Sequence, residues 1–222
     1  MKARVQKTGR KPSKTASAKA SQPKRMTGQE RSHQIVRVAA GLFARKGFKG
    51  TTTREIARKA GISEAVIFKH FSCKEDLYKA IIDSCCADKT GESRILGLLK
   101  GREGREVFRT IAVFLLDEHQ KDPSFLRLLT YSALEQQSLS ELFMKTRALV
   151  LLGFLEGHIK ELEKKGSIKA ADPALCARAF IGMVIHYVIA QELYGFKRHF
   201  TRPNEVVAET FVDIFFEGMR RR

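Results

Sequence analysis

Apolar residues recur with a helical period along most of this chain. Ile35, Ala39, Leu42 and Phe43 fall on one stripe, the spacing of an amphipathic helix running from Glu30 to Lys46. Gly47 and Gly50 follow it, as glycine commonly does just past a helix C-terminus. A second, short helix is predicted from Thr52. There Thr52-Thr53-Arg54-Glu55 has the form of a capping box, and Ile56, Ala57 and Ala60 supply a buried edge. Gly61 breaks that helix and Ser63 is placed to cap a third, from Glu64 to about Phe71. The third helix hides Val66, Ile67 and Phe71 and turns Glu64, Ala65, Phe68 and Lys69 outward. Two short helices joined by a tight glycine turn form a helix-turn-helix unit.

The period continues to the C-terminus. Helices are predicted at Lys74–Ala87, Glu103–Gln120, Pro123–Glu135, Leu139–Lys165, Pro173–Tyr194 and Pro203–Met219, separated by Gly-, Asp-Pro- and Ser-containing breaks. No alternation of period two is long enough for a strand, so the expected class is all-α with about nine helices. The first domain is expected over residues 29–74, linked through helix 74–88 to a larger helical domain over 75–222. Residues 1–28 hold Val5 and two Met as their only large apolar side chains. Such a segment cannot bury enough surface to offset chain entropy and is expected to be a disordered arm.

Charge sharpens this division. The 222 residues carry 41 Lys+Arg against 24 Asp+Glu, a net charge of +17. Residues 1–25 contribute +9, residues 26–90 contribute +5 and residues 91–222 only +3. An anionic partner is therefore met by the N-terminal part, and nucleic acid is the first candidate. The basic arm reads either as a minor-groove or phosphate contact or as an inert solvated tail. A membrane role has little support, because no amphipathic apolar face accompanies the charges. The apolar stretch Ala174–Ala190 is interrupted by Arg178 and His186, which argues against a bilayer span. Cys73, Cys85, Cys86 and Cys176 have no zinc or CxxC spacing and read as reduced thiols of a cytoplasmic protein. The N-terminus lacks the apolar core of a secretory signal.

The third helix has a face suited to a DNA major groove, which is wide enough to hold a helix and distinguishes the base pairs. Ala65 is small enough to allow close approach, Lys69 can donate to guanine or phosphate, and Glu64 can accept from cytosine. Thr51 and Thr52 stand at a helix N-terminus, where a phosphate is favoured. Lys74, at the start of the next helix, is a further phosphate partner. His70 either meets a phosphate or fills the edge of the small domain's core, and Phe68 either packs or stacks on sugar. No GxSxG, HExxH, Walker loop or nucleotide-binding glycine pattern is present, so no enzymatic activity, cofactor or metal is expected.

The run Ile35-x3-Ala39-Ala40-x-Leu42-Phe43-x3-Gly47-x3-Thr51-Thr52-x3-Ile56-Ala57-x2-Ala60-Gly61-Ile62-Ser63-x4-Phe68-x-His70-Phe71-x2-Lys74-Glu75-x-Leu77 resembles the N-terminal domain of TetR-family transcriptional regulators. The resemblance implies an operator-binding helix-turn-helix domain followed by a variable helical domain for ligand binding and dimerisation. It puts phosphate contacts at Thr52, His70 and Lys74, and base and backbone contacts at Ser63, Ala65 and Lys69. This sequence departs from the family pattern in having Phe68 where Tyr is usual and Ala65 where Gly is frequent.

Surplus apolar surface marks the last two helices. A helix apolar nearly all round is buried on more than one side, which suggests a four-helix interface between two copies. Family dimers usually pair their last two long helices in this way. Phe180, Val184, Val207, Phe211, Ile214 and Phe215 are the expected interface residues. Phe108, Phe114, Phe154, Met183 and Tyr187 either line a cavity for a small, largely apolar ligand or belong to a plain core. His119, His158 and His186 are further candidates to orient a polar ligand atom. The expected function is a homodimeric repressor of a palindromic operator in double-stranded DNA, released by a small-molecule effector. The alternatives are a ligand-independent, sequence-tolerant DNA binder, or an activator of the same fold.

Overall fold

A computed structural model describes the backbone over residues 26–87, 89–136, 138–169 and 172–220, and side chains over the same spans except 85–93. The segment 1–25 and the thiols of Cys85 and Cys86 therefore lie outside the described residues. The described residues are helical, without strands. The helices are α1 (Gly28–Lys46), α2 (Thr53–Ala60), α3 (Glu64–His70), α4 (Lys74–Ala87), α5 (Lys89–Leu99) and α6 (Arg105–Lys121). They continue as α7 (Ser124–Leu134), α8 (Ser138–Phe143), α9 (Leu149–Lys164), α10 (Pro173–Glu192) and α11 (Asn204–Gly218).

Helix α1 starts earlier than its apolar stripe indicates. Thr27 accepts from the Glu30 amide at 3.2 Å while the Glu30 carboxylate accepts from the Thr27 amide at 2.7 Å, a reciprocal box that satisfies two orphan donors. Residues 27 and 28 thus belong to this helix and its cap, not to a disordered arm. At α2 only half of the expected box forms. Thr52 accepts from the Glu55 amide, but the Glu55 carboxylate reaches across to Lys46 Nζ at 2.5 Å and ties α2 to α1. Ser63 occupies the cap position of α3 without a capping hydrogen bond, which leaves its exposed hydroxyl free of the cap.

Two further differences concern the larger domain. Helix α5, between α4 and α6, has no counterpart among the predicted helices. The single helix expected over 139–165 instead holds a π-helical segment, Met144–Ala148, between α8 and α9. Such a segment inserts a residue into the helical turn and shifts which side chains share a face.

Two apolar cores result. The first gathers Ile35, Phe43, Ile56, Ile67, Leu77 and Ile81 from α1–α4, and is completed by Leu128 of α7 and Leu139 of α8. Phe43, Phe48 and Tyr78 pack there with ring centroids 5.0–5.6 Å apart. The second core centres on Phe108 of α6, whose ring meets Phe180, Phe215 and Phe216 at 5.0–5.3 Å. By length and composition alone α10 would be apolar enough to cross a bilayer, but Arg178 and His186 interrupt it as expected. In the fold, its Ala177, Phe180, Val184 and Val188 are buried in the second core, the arrangement of a core helix.

Candidate functional site

The reading head is held by local hydrogen bonds. Gly61 takes φ 68° between α2 and α3, a left-handed conformation glycine adopts without steric cost. The turn sets α3 across α2, and Glu64 at the head of α3 binds back: the Thr53 hydroxyl donates to it at 2.7 Å and Arg54 lies 3.7 Å away. Its carboxylate is thus engaged within the domain while staying partly exposed. Ala65, Phe68 and Lys69 are exposed along α3. Phe68 is 49% exposed. No carboxylate pairs with Lys69 in any described ion pair.

The expected phosphate contacts fare differently. Thr51 is fully buried and its hydroxyl donates to the Gly47 carbonyl at 2.9 Å, so it has no surface for a phosphate and acts as an internal brace. Thr52 is exposed at the N-terminus of α2, where free amides and the helix dipole favour an anion. Lys74 donates to the Thr51 carbonyl at 2.7 Å and lies 4.1 Å over the Phe48 ring. An ammonium has three donors, so this clamp leaves others for solvent or phosphate. His70 is half-buried beside Phe71, ring centroids 6.4 Å apart. It also stands against the start of α1: a Cβ placed on Gly28 would lie 3.9 Å from its ring. The chain therefore enters α1 beside the end of α3.

A contact absent from the sequence reading fixes this head to the rest of the molecule. The Glu135 carboxylate accepts from the amides of Phe48 and Lys49 at 2.8 and 3.3 Å, and the Tyr131 hydroxyl donates to the Arg45 carbonyl. Gly47 makes the approach possible. It has φ 73°, and a Cβ there would lie 2.5 Å from Glu135 Oε1 and 2.9 Å from Tyr131 Cδ1. Glu135 thus takes up two amides of the turn that follows α1, while Tyr131 supplies a donor to Arg45, one of the last-turn carbonyls that lack an intrahelical partner.

The expected ligand residues do not form one site. Phe108 is fully buried in the aromatic core. Phe154 is exposed and stacks on His158 with planes 9° apart, while Phe114 sits 5.6 Å from the Arg94 guanidinium. Met183 and Tyr187 pack at the core margin, Tyr187 edge-on to Phe211. Only Tyr187 of these lines the cavity at the C-terminal end of α10, which is bounded by α6, α10 and the segment leading into α11. Its polar lining, Gln191, Glu192, Lys197 and Arg202, was not anticipated. The one available signal was a Gln-Glu pair closing an otherwise apolar helix. Of the histidines, His119 bonds the Leu115 carbonyl at 3.0 Å. Burial lowers its pKa below the usual histidine range, against the opposing pull of that carbonyl and of Glu118. His186 is exposed.

The expected dimer residues also need revision. Phe180, Val184, Val207 and Phe215 are buried in the protomer's own core, so they have no surface to offer a partner. Phe211 is half-buried against that core, and Ile214 is 59% exposed. The unpartnered apolar surface of α10 and α11 lies instead at Leu175, Val206 and Ile214. Ala179 and Gly182, also exposed, continue the stripe from Leu175.

Comparison with known proteins agrees with this architecture. Residues 35–81 match the model for bacterial regulatory proteins of the tetR family, and residues 105–218 match the AefR-like transcriptional repressor C-terminal domain. The chain is 28% identical over 188 residues to the HTH-type transcriptional regulator YvkB of Bacillus subtilis, covering 84% of this chain and 95% of YvkB. It is 24% identical over 179 residues to the nucleoid occlusion factor SlmA of Glaesserella parasuis, covering 77% of this chain and 86% of SlmA. In fold it resembles AibR, solved with isovaleryl coenzyme A and operator DNA, with a TM-score of 0.65 at 24% identity over 84% of this chain and 98% of AibR. A helix-turn-helix head on a second helical core, matched by both family models over most of the chain, makes this protein a member of the TetR family of bacterial transcriptional regulators.

Proposed function

We propose that the protein is a cytoplasmic repressor that binds a palindromic operator as a homodimer and releases it when a small-molecule effector occupies the C-terminal domain. The observation that carries this reading is the outward face of α3, where Ala65, Phe68 and Lys69 stand exposed next to the N-terminus of α2. Lys69 and Ala65 read base edges, Thr52 and Ser63 position the backbone, and His70 and Lys74 add phosphate contacts. The basic residues of segment 1–25 add phosphate or minor-groove contacts in this reading.

The dimer pairs α10 and α11 of two copies through Leu175, Ala179, Gly182, Val206 and Ile214, giving a two-fold axis that matches the palindrome. Release follows from linkage: an effector that prefers a protomer arrangement with mis-spaced α3 helices weakens operator binding, by about 1–3 kcal/mol in typical systems. Helix α7 is the lever, since it ends in the Glu135 clamp on α1. Operator affinity measured with and without effector tests this mechanism; unchanged affinity at saturating effector contradicts it.

A second reading, a sequence-tolerant DNA binder without effector, draws on the net charge of +17, which attracts duplex of any sequence. Competition by random duplex separates the two, since a specificity ratio near one favours the second.

A further inference from the structure

The C-terminal end of α10 holds a polar group that the protomer leaves without a partner. Gln191 is 6% exposed, yet neither its amide nitrogen nor its carbonyl oxygen makes a hydrogen bond. A buried, unpaired carboxamide is costly, and folds retain one where something else completes it. Gln191 lines the cavity between α6, α10 and the segment before α11, whose volume is about 140 Å³.

The rest of the lining has a definite chemistry. Leu116, Val188 and the Tyr187 ring form an apolar side. Two cations and one anion form the polar side. Glu192, itself buried, pairs with Lys197 at 2.6 Å, so those two charges cancel. Arg202 lies 4.7 Å from the Phe200 ring and donates to the Thr201 carbonyl, with no carboxylate partner among the described ion pairs. One positive charge is left over beside the unpaired Gln191 amide. A cavity of about 150 Å³ accommodates benzene, so this space, which is open to solvent on one side, holds a group of roughly six to eight non-hydrogen atoms.

The geometry points to a short-chain monocarboxylate as the occupant. Its carboxylate meets the Arg202 guanidinium and the Gln191 amide, both of which favour an anionic acceptor, and its chain lies against Leu116 and Val188. Because solvent does not reach the carboxamide of Gln191 in the free protein, binding requires this side chain to turn toward the ligand. This assignment rests on the effector-responsive reading above and names its ligand class. It also supplies a physical link. Arg127 of α7 donates to the Glu192 carbonyl at 3.1 Å, so the cavity rim is tied to the helix that clamps α1.

Isothermal titration of the full chain with butanoate and 3-methylbutanoate, with butanamide as the neutral control, tests the site. Saturable binding of an acid is expected, with the amide at least about tenfold weaker. Arg202→Gln, a change at an exposed position, should weaken the acid by at least about tenfold. Gln191→Leu should also weaken it, while raising the melting temperature of the free protein by about 2–6 °C, because an unpaired buried amide is replaced by an apolar side chain of similar size. Absence of saturable binding up to about 10 mM acid, equal binding of acid and amide, or acid binding unchanged in both variants would overturn the assignment. The titration contains no DNA, so its failure alongside intact operator binding rejects the site and leaves the regulator reading standing. Loss of operator binding in the wild type rejects that reading and leaves the cavity result in force.

Discussion

At the scale of single residues, the head is shaped as much by what cannot be substituted as by what projects. Gly47 combines a positive φ with a carboxylate and a tyrosine ring against its Cα. Gly47→Ala should therefore cost about 2–4 kcal/mol, from backbone strain and displacement of Glu135, measured by denaturant unfolding. A change below about 0.5 kcal/mol would mean that the Glu135 clamp yields freely. Lys69 and Lys74 should separate by role. Lys69→Ala is expected to alter the ranking of duplexes, costing about 1–3 kcal/mol on the best one. Lys74→Ala should weaken all duplexes alike, lower the salt slope by about one, and also reduce thermal stability, since Thr51 and Phe48 lose their cation. Equal effects of the two substitutions on every duplex would contradict this division. Thr51 was misjudged from sequence because adjacent threonines look alike as caps. Only the fold turns one inward, to Gly47, and leaves the other outside.

At the scale of elements, the pair between Lys46 and Glu55 holds α1 to α2. The Lys46 hydrogen bond lowers the Glu55 pKa, against a smaller opposing effect of desolvation. A depressed carboxylate pKa adds stability above the unfolded-state value and loses it as pH falls through the folded one. Glu55→Gln should thus flatten the decline in melting temperature between about pH 6 and about pH 3, with little pH dependence gained elsewhere. An unaltered acid limb would contradict it. Most elements were legible because buried stripes recur at helical spacing, as with Ile35–Ala39–Leu42. Helix α5 escaped because its apolar run, Ile95 to Leu99, is short, is interrupted by Gly97 and follows a polar stretch that contains Gly91. The π-helical segment escaped because one inserted residue leaves little trace in a pattern already apolar on several sides. Periodicity also reports that Phe180 and Val184 are buried, not which surface buries them, and so an intramolecular core was read as an interface.

At the scale of the whole molecule, two cores are joined by α7, which contributes Leu128 to the first and borders the second. The proposed dimer surface is the remaining exposed apolar stripe. Leu175 is 62% exposed and Val206 51%, and a pair of helices with such a face is a natural half of a four-helix interface. Ile214→Asp should shift the protein toward monomer in sedimentation, because a charge at a desolvated centre opposes association. It should leave the helical content unchanged, since the side chain lies outside the protomer's core. A dimer of undiminished stability would move the interface elsewhere.

The central claim is that two copies present their α3 helices to one symmetric DNA site. Selection of bound duplexes from a random pool tests it most directly. The account predicts enrichment of a palindrome whose half-sites are separated by about one helical turn or a small multiple of it, and loss of that enrichment in Ile214→Asp. Recovery of duplexes with no shared sequence, or of a single half-site bound equally well by wild type and Ile214→Asp, would contradict it.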